Sequence, residues 1–338
     1  MHARLAFRAL AAVALSALTA SAVQAQASAQ QAPQVSVTGV VYTQYRYTDE
    51  QIAAKSNFEM SRAYVNVLGR FANGITTRVT SDILPSAGGN QFIRLKYAFA
   101  AWTPTGSSLT YKLGMIQTPF VDYEETLWDY RMQGTIAVDR NGVMTSSDIG
   151  FGVDGHWNGE QVNAQVAIMN GEGYSNGTGD FHKDLEARVS VRLRPTNDNS
   201  RVGGFRATGY VGVGKFDGGV DRNRFLGQLS YRTTQFTVAG EYVSVKNFIA
   251  AAPSTGSIIS AFGVYHLSPP SKIAVVARVD IVDPDNNTAN DGNMRIIAGA
   301  SYQLSPNVRL LADLDRDKDQ GAGTTAANRF LIQAQFVF

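Results

Sequence analysis

Residues 329–338 read RFLIQAQFVF. Phe330, Ile332, Ala334, Phe336 and Phe338 fall on one face of an extended chain. Arg329, Leu331, Gln333, Gln335 and Val337 fall on the other. Alternation at a period of two residues marks a strand, because successive side chains point to opposite sides of the pleat. A strand of a soluble sandwich shows the same pattern, with its apolar face in a core. The rest of the chain has to separate the two.

Working back from this strand, sixteen segments of about 9–12 residues can be laid out, the length a tilted strand needs to cross a bilayer. They begin near Val35, Phe58, Ile75, Phe92, Leu109, Ile149, Val162, Leu185, Phe205, Arg224, Phe236, Ile258, Ile273, Arg295, Val308 and Arg329. The count is even, as a closed single-chain bacterial barrel requires. Closure is needed because lipid offers no partner to an unpaired strand edge. The connectors alternate in length. One set is tight and rich in Gly, Pro and Asn, such as Ala72-Asn73-Gly74 and Asn158-Gly159-Glu160. The other set is longer. Two connectors break the rule: an inner turn at 196–203 is long and an outer loop at 216–221 is short. The expectation is an all-β fold, a 16-stranded antiparallel transmembrane β-barrel over residues 26–338.

Arg4 and Arg8 precede an apolar stretch to Ala20 and small residues up to Ala25. This is the pattern of a signal peptide over residues 1–25, predicting export. The chain has no cysteine, so neither disulfides nor thiolate metal sites are expected. Lys and Arg number 30 against 28 acids, too even a balance for a nucleic-acid partner. His156, His182 and His266 lie far apart without metal-like spacing, and no nucleophile motif accompanies them. No nucleotide-binding glycine pattern is present. Neither an enzyme nor a cofactor is expected.

Two features give the expected barrel a function. The first is residues 117–147, QTPFVDYEETLWDYRMQGTIAVDRNGVMTSS, the longest stretch without sustained alternation. A connector of this length inside a regular fold is usually functional, and it is expected to fold into the barrel mouth. The second is the polar parity of the strands, where cations outnumber acids about two to one. Arg62, Arg78, Arg94, Lys96 and Lys112, from consecutive strands, form the best candidate for a positive stripe, with Arg188 and Arg192 further on. In the fourth strand Ile93, Leu95, Tyr97, Phe99 and Ala101 share one parity, read as turned to lipid. Phe71, Tyr111, Trp157, Tyr231 and Tyr302 near strand ends fit interfacial girdles.

Segments FEMSRAYVNVLGRF (58–71), RLKYAFAAWTP (94–104) and YKLGMIQTPF (111–120) resemble the phosphate-selective porin O and P family. DRNGVMTSSDIGFGVDG (139–155) and AIMNGEGYSN (167–176) continue the likeness, and Gly114 with Pro119-Phe120 is its sharpest piece. The aromatic Phe338 resembles the final residue of bacterial outer-membrane barrels, read by the assembly machinery. The resemblance implies a trimeric channel in outer-membrane lipid whose third outer loop folds inward. The family's arginine ladder finds no residue-by-residue match. Instead the 117–147 segment carries Asp122, Glu124, Glu125 and Asp129 beside Arg131 and Arg140. Acids opposite a basic wall predict a transverse field across a constriction. Trp128 and Tyr130 are expected to anchor the segment. The predicted function is passive diffusion of small hydrophilic, anion-leaning solutes. The alternative is a plugged structural or adhesive barrel.

Overall fold

The computed structural model describes residues 32–49, 55–86, 89–175, 181–216, 219–248, 254–268 and 271–338. The expected signal peptide over 1–25 lies outside them. Sixteen strands make up the described fold: β1 (Gln34–Asp49), β2 (Lys55–Arg70), β3 (Ile75–Pro85), β4 (Gln91–Trp102), β5 (Leu109–Gln117), β6 (Ser147–Trp157), β7 (Val162–Met169) and β8 (Asp184–Arg194). Then follow β9 (Gly204–Val213), β10 (Arg224–Arg232), β11 (Phe236–Lys246), β12 (Thr255–His266), β13 (Ile273–Asp283), β14 (Asn293–Ser305), β15 (Val308–Asp319) and β16 (Ala327–Val337). Each start lies within three residues of its expected position. Every strand pairs antiparallel with its sequence neighbours, and β1 pairs with β16, so the barrel is closed. At the seam the Gly39 N–H donates to the Phe338 carbonyl at 2.8 Å, and the Phe338 N–H donates back to the Gly39 carbonyl at 3.0 Å.

The parities of β16 divide as expected. Phe330, Ile332 and Phe336 are exposed, whereas Leu331 and Gln333 are buried. Exposed Val, Leu, Ile and Phe side chains recur on the same face of nearly every strand. Such a belt is the hydrocarbon-facing surface of a membrane barrel. Phe71, Trp102, Trp157, Tyr231, Tyr265 and Tyr302 are exposed at the strand ends nearest the tight turns. Trp102 stacks on Tyr111 at 5.8 Å.

The parity expected for β4 is corrected. Thr80 pairs with Tyr97 but Ser81 pairs with Leu95, leaving Lys96 as the extra residue of a β-bulge. A bulge shifts the phase of alternation by one. Ile93 and Leu95 are therefore exposed, while Tyr97 and Ala101 are buried. The released carbonyl of Lys96 accepts the Ser147 hydroxyl at 2.5 Å. Gly114 sits opposite on β5 with φ of +122°, and an added Cβ would lie 2.4 Å from the Ala98 carbonyl oxygen. Only glycine allows β4 and β5 to approach so closely there.

The buried parity of β10–β13 carries large apolar residues among polar ones such as Arg224, Gln228, Glu241, Ser260, Arg278 and Asp280. Leu226, Val243, Ile258, Phe262, Val264, Val276 and Val282 are buried, while Leu229, Val238, Ile259, Val275 and Ile281 are exposed. A wall facing water on its inner side would not show the first set. It must be covered by other residues of the chain.

Candidate pore constriction

What covers those strands is the segment between β5 and β6. It is not irregular throughout, as its sequence suggested: it contains α1 (Val121–Leu127) and α2 (Ala137–Arg140). Positions three and four apart share a helix face. Val121, Glu124, Leu127 and Trp128 therefore lie on one side, and Asp122, Glu125 and, just past the helix end, Asp129 on another. The first side is buried. Trp128 packs against Phe262 at 5.1 Å between ring centres, and Phe120 against Tyr210 at 5.9 Å. Polar contacts extend the attachment along the same wall. The Tyr123 and Ser190 hydroxyls lie 2.8 Å apart, and those of Tyr130 and Ser301 2.7 Å apart. Gln333 donates to the Met132 carbonyl at 2.8 Å, and Arg278 to the Thr135 carbonyl at 3.2 Å. Arg140 pairs with Asp280 at 3.1 Å. Trp128 and Tyr130 thus anchor the segment.

The acidic stripe meets a different environment. Asp122 accepts from Arg201 at 2.8 Å, Asp129 from Arg309 at 3.0 Å and Glu125 from Arg131 at 3.1 Å. Arg201 belongs to the overlong inner turn between β8 and β9, and also donates to the Asp122 carbonyl and the Thr126 hydroxyl. That turn reaches α1 from the short-turn side. Burial alone would raise the Asp122 carboxyl, yet the Arg201 guanidinium holds it at about 2. Between the stripe and β1–β4 lies a cavity of about 320 Å³ lined by Tyr42, Tyr64, Arg78, Lys96, Tyr97, Asp122, Glu125, Asp129 and Arg131. Among the described residues, two polar contacts cross from residues 118–146 to this wall: Arg131 donates to the Tyr64 hydroxyl at 3.2 Å, and Lys96 lies 3.9 Å from Glu125.

Glu124 corrects an expectation. Its sequence neighbours suggested a place opposite the basic wall. One residue of helical rotation instead turns it to the far side, where both carboxyl oxygens are buried without a hydrogen-bond partner. Burial, and then the facing Glu241 carboxyl, push it well above the usual carboxylate range. It belongs to the anchored side, not to the acidic stripe.

The expected cationic residues separate into three sets. Arg62 and Arg94 converge on one buried carboxylate, Asp82, at 2.7 and 2.9 Å, and Tyr174 from the loop after β7 accepts from both. Lys112 pairs with Asp154. Lys96 and Arg78 line the cavity, and among the described residues Arg78 has no acidic partner. It donates to Thr80 Oγ1 at 3.0 Å and Asn66 Oδ1 at 3.1 Å, and lies over the Tyr97 ring at 4.5 Å. Arg188 and Arg192 do not reach the cavity. Arg188 is covered by the incoming segment, donating to the Pro119 carbonyl at 2.8 Å and lying over the Tyr123 ring at 4.3 Å. Arg192 sits at the inner end of β8 and donates to the Gly159, Ser200 and Gly203 carbonyls. The positive stripe is therefore mostly an ion-paired network.

Sequence reasoning missed Tyr42, Tyr64, Tyr97, Tyr174 and Arg201. The overlong turn was the available signal for Arg201. Large apolar residues such as Val243, Ile258, Phe262 and Val276 on the buried parity of β11–β13 were the signal for the covered wall.

The sequence pattern that describes the Gram-negative porin family matches residues 9–322. The chain belongs to the Gram-negative porin family. It is an outer-membrane β-barrel porin, and family and fold are those of a channel. The family's description is broader than the phosphate-selective resemblance read from the sequence. No curated protein sequence matches the chain. Among solved structures, the anion-selective porin from Comamonas acidovorans superposes with a TM-score of 0.68 at 13% identity, over 90% of this chain and 100% of that one. OmpF of Salmonella typhi, in complex with daunomycin, gives 0.68 at 12% identity, over 90% and 97%. The trimer form of Vibrio cholerae OmpT gives 0.62 at 13% identity, over 91% and 100%. At these identities the likeness concerns the fold.

Proposed function

We propose that this porin passes small hydrophilic solutes with a lean towards anions, and that residues 117–147 fold into the lumen as its constriction. The observation that carries the reading is the balance of charge around the 320 Å³ cavity. Asp122, Glu125 and Asp129 are each matched by a nearby cation, while Arg78 has no acidic partner among the described residues. Surplus cationic donors in a narrow polar passage lower the cost of partial dehydration for anions. Phosphate is one candidate, since arginine matches its oxygens in a bidentate way. The cavity beside the stripe gives the plugged-barrel alternative less support than an open path. Trimerisation, as in the trimer form of the Vibrio cholerae protein, and recognition of Phe338 by the assembly machinery belong to the same proposal.

Reversal potentials in a KCl gradient across planar bilayers test it. The expected sign is that of chloride preference, weakened in Arg78→Gln. Potassium preference in the unaltered protein would overturn the anion reading.

A further inference from the structure

Charge accounts for only part of the 320 Å³ cavity. Three tyrosines line it. Tyr42, Tyr64 and Tyr97 are each less than a tenth exposed. Tyr97 is placed there by the bulge at Lys96, which turns it away from the exposed side that strict alternation would give it. The rings carry cations on their faces: Arg78 lies 4.5 Å from the Tyr97 centre, and Lys96 lies 4.7 Å from Tyr64 and 5.4 Å from Tyr97. Arg78 is held in place by neutral groups, and Lys96 by one long ion pair with Glu125. Two of the five guanidinium donors of Arg78 are engaged, both by neutral oxygens. The ammonium of Lys96 is 3.9 Å from its nearest carboxylate. The Tyr64 hydroxyl accepts from Arg131. Those of Tyr42 and Tyr97 make no hydrogen bond among the described residues, leaving two phenol donors beside two cations.

A passage for inorganic ions needs charge and water but not a wall of rings. The lining sets three rings, Val40 and Val337 among nine polar or charged side chains, with the carboxylates of Asp122, Glu125 and Asp129 each already held by an arginine; this mixture suits an amphiphilic organic molecule, and 320 Å³ is at the small end of such sites. Building on the anion-leaning reading above, we infer that the cavity is a transit site for small carboxylates borne on a single aromatic ring. The carboxylate would meet Arg78, Lys96 and the free phenols, and the ring would lie against the tyrosines.

The test uses the full chain reconstituted in planar bilayers, with benzoate, acetate and benzylammonium each titrated against a chloride current. Benzoate should reduce the current at a concentration about tenfold below acetate, because one buried ring adds about one decade of binding. Benzylammonium should show no such effect. Arg78→Gln should raise the half-blocking benzoate concentration about tenfold, the worth of a charge-assisted hydrogen bond. Tyr97→Leu should bring benzoate and acetate together, and Tyr42→Leu is the second variant should Tyr97→Leu fail to fold. Equal blocking by benzoate and acetate, or by benzoate and benzylammonium, overturns the inference while leaving an anion pore standing. A bilayer without chloride current removes the pore reading itself.

Discussion

Two walls of this barrel treat the same segment in opposite ways. Along β8–β16 residues 118–146 are fastened by Trp128 on Phe262, Tyr123 on Ser190, Tyr130 on Ser301 and Arg140 on Asp280. Towards β1–β4 the same segment presents Asp122, Glu125 and Asp129 to a cavity, and among the described residues its polar contacts with that wall run through Arg131 and Glu125. The difference follows from one short helix. Residues one step apart on α1, Glu124 and Glu125, end up in a dry and a wet environment. Apolar burial fixes position, whereas a polar, partly solvated contact sets which ions are welcome and yields more easily.

Removing the asymmetry altogether should have the largest effect. Deleting residues 123–134 takes away the anchored and the wet faces together, and single-channel conductance should rise severalfold. Unchanged conductance would mean that the segment does not limit flow. Next comes the apolar wall alone. Trp128→Ala leaves a cavity against Phe262, and truncations of this size cost about 3–5 kcal/mol. Thermal unfolding should shift down, and current noise should increase as the segment loosens. The polar crossing should matter least for stability. Arg131→Ala removes the bond to Tyr64 and the pair with Glu125, half-buried contacts to a charged group worth about 1.5–3 kcal/mol. Melting should move less than in Trp128→Ala, while the conductance and its anion preference change measurably.

Acid and base sharpen the same contrast. The Glu124 carboxyl is raised by burial and Glu241, so its contribution is complete below the ordinary carboxyl range and is lost as pH rises through its shifted value. Asp122 is lowered to about 2 by Arg201, so its contribution is present above the ordinary range and is lost only as pH falls through about 2. Current noise should therefore grow towards alkaline pH in the unaltered protein. It should be flatter in Glu124→Gln, which keeps the shape without the charge. A steeper alkaline response in that variant would contradict the assignment.

The barrel was legible because its cause is local. Lipid on one side and polar groups on the other impose a period of two, and sixteen starts followed within three residues. Where the cause is not local, reading failed. The bulge at Lys96 adds one residue to a strand whose neighbours are apolar on both sides of it, so nothing in β4 announces the change of phase. At seven residues α1 is too short to display its period beside the aromatics around it, and so Glu124 and Glu125 were read alike. Acid partners such as Asp82 for Arg62 and Arg94 come from neighbouring strands at a register that alternation does not reveal. In β11–β13, by contrast, apolar side chains such as Val243, Phe262 and Val276 interrupt the polar parity in plain view, and they mark the covered wall.

The chain has no cysteine, so single thiols can report each wall without interference. The most direct measurement compares Arg78→Cys on the open wall with Ser190→Cys beneath Tyr123, each exposed to a charged thiol reagent while chloride current is recorded. The two-wall account predicts rapid modification and a falling current at position 78, and no modification at position 190 while residues 117–147 are intact. Equal rates at the two positions, or faster reaction at 190, would contradict it.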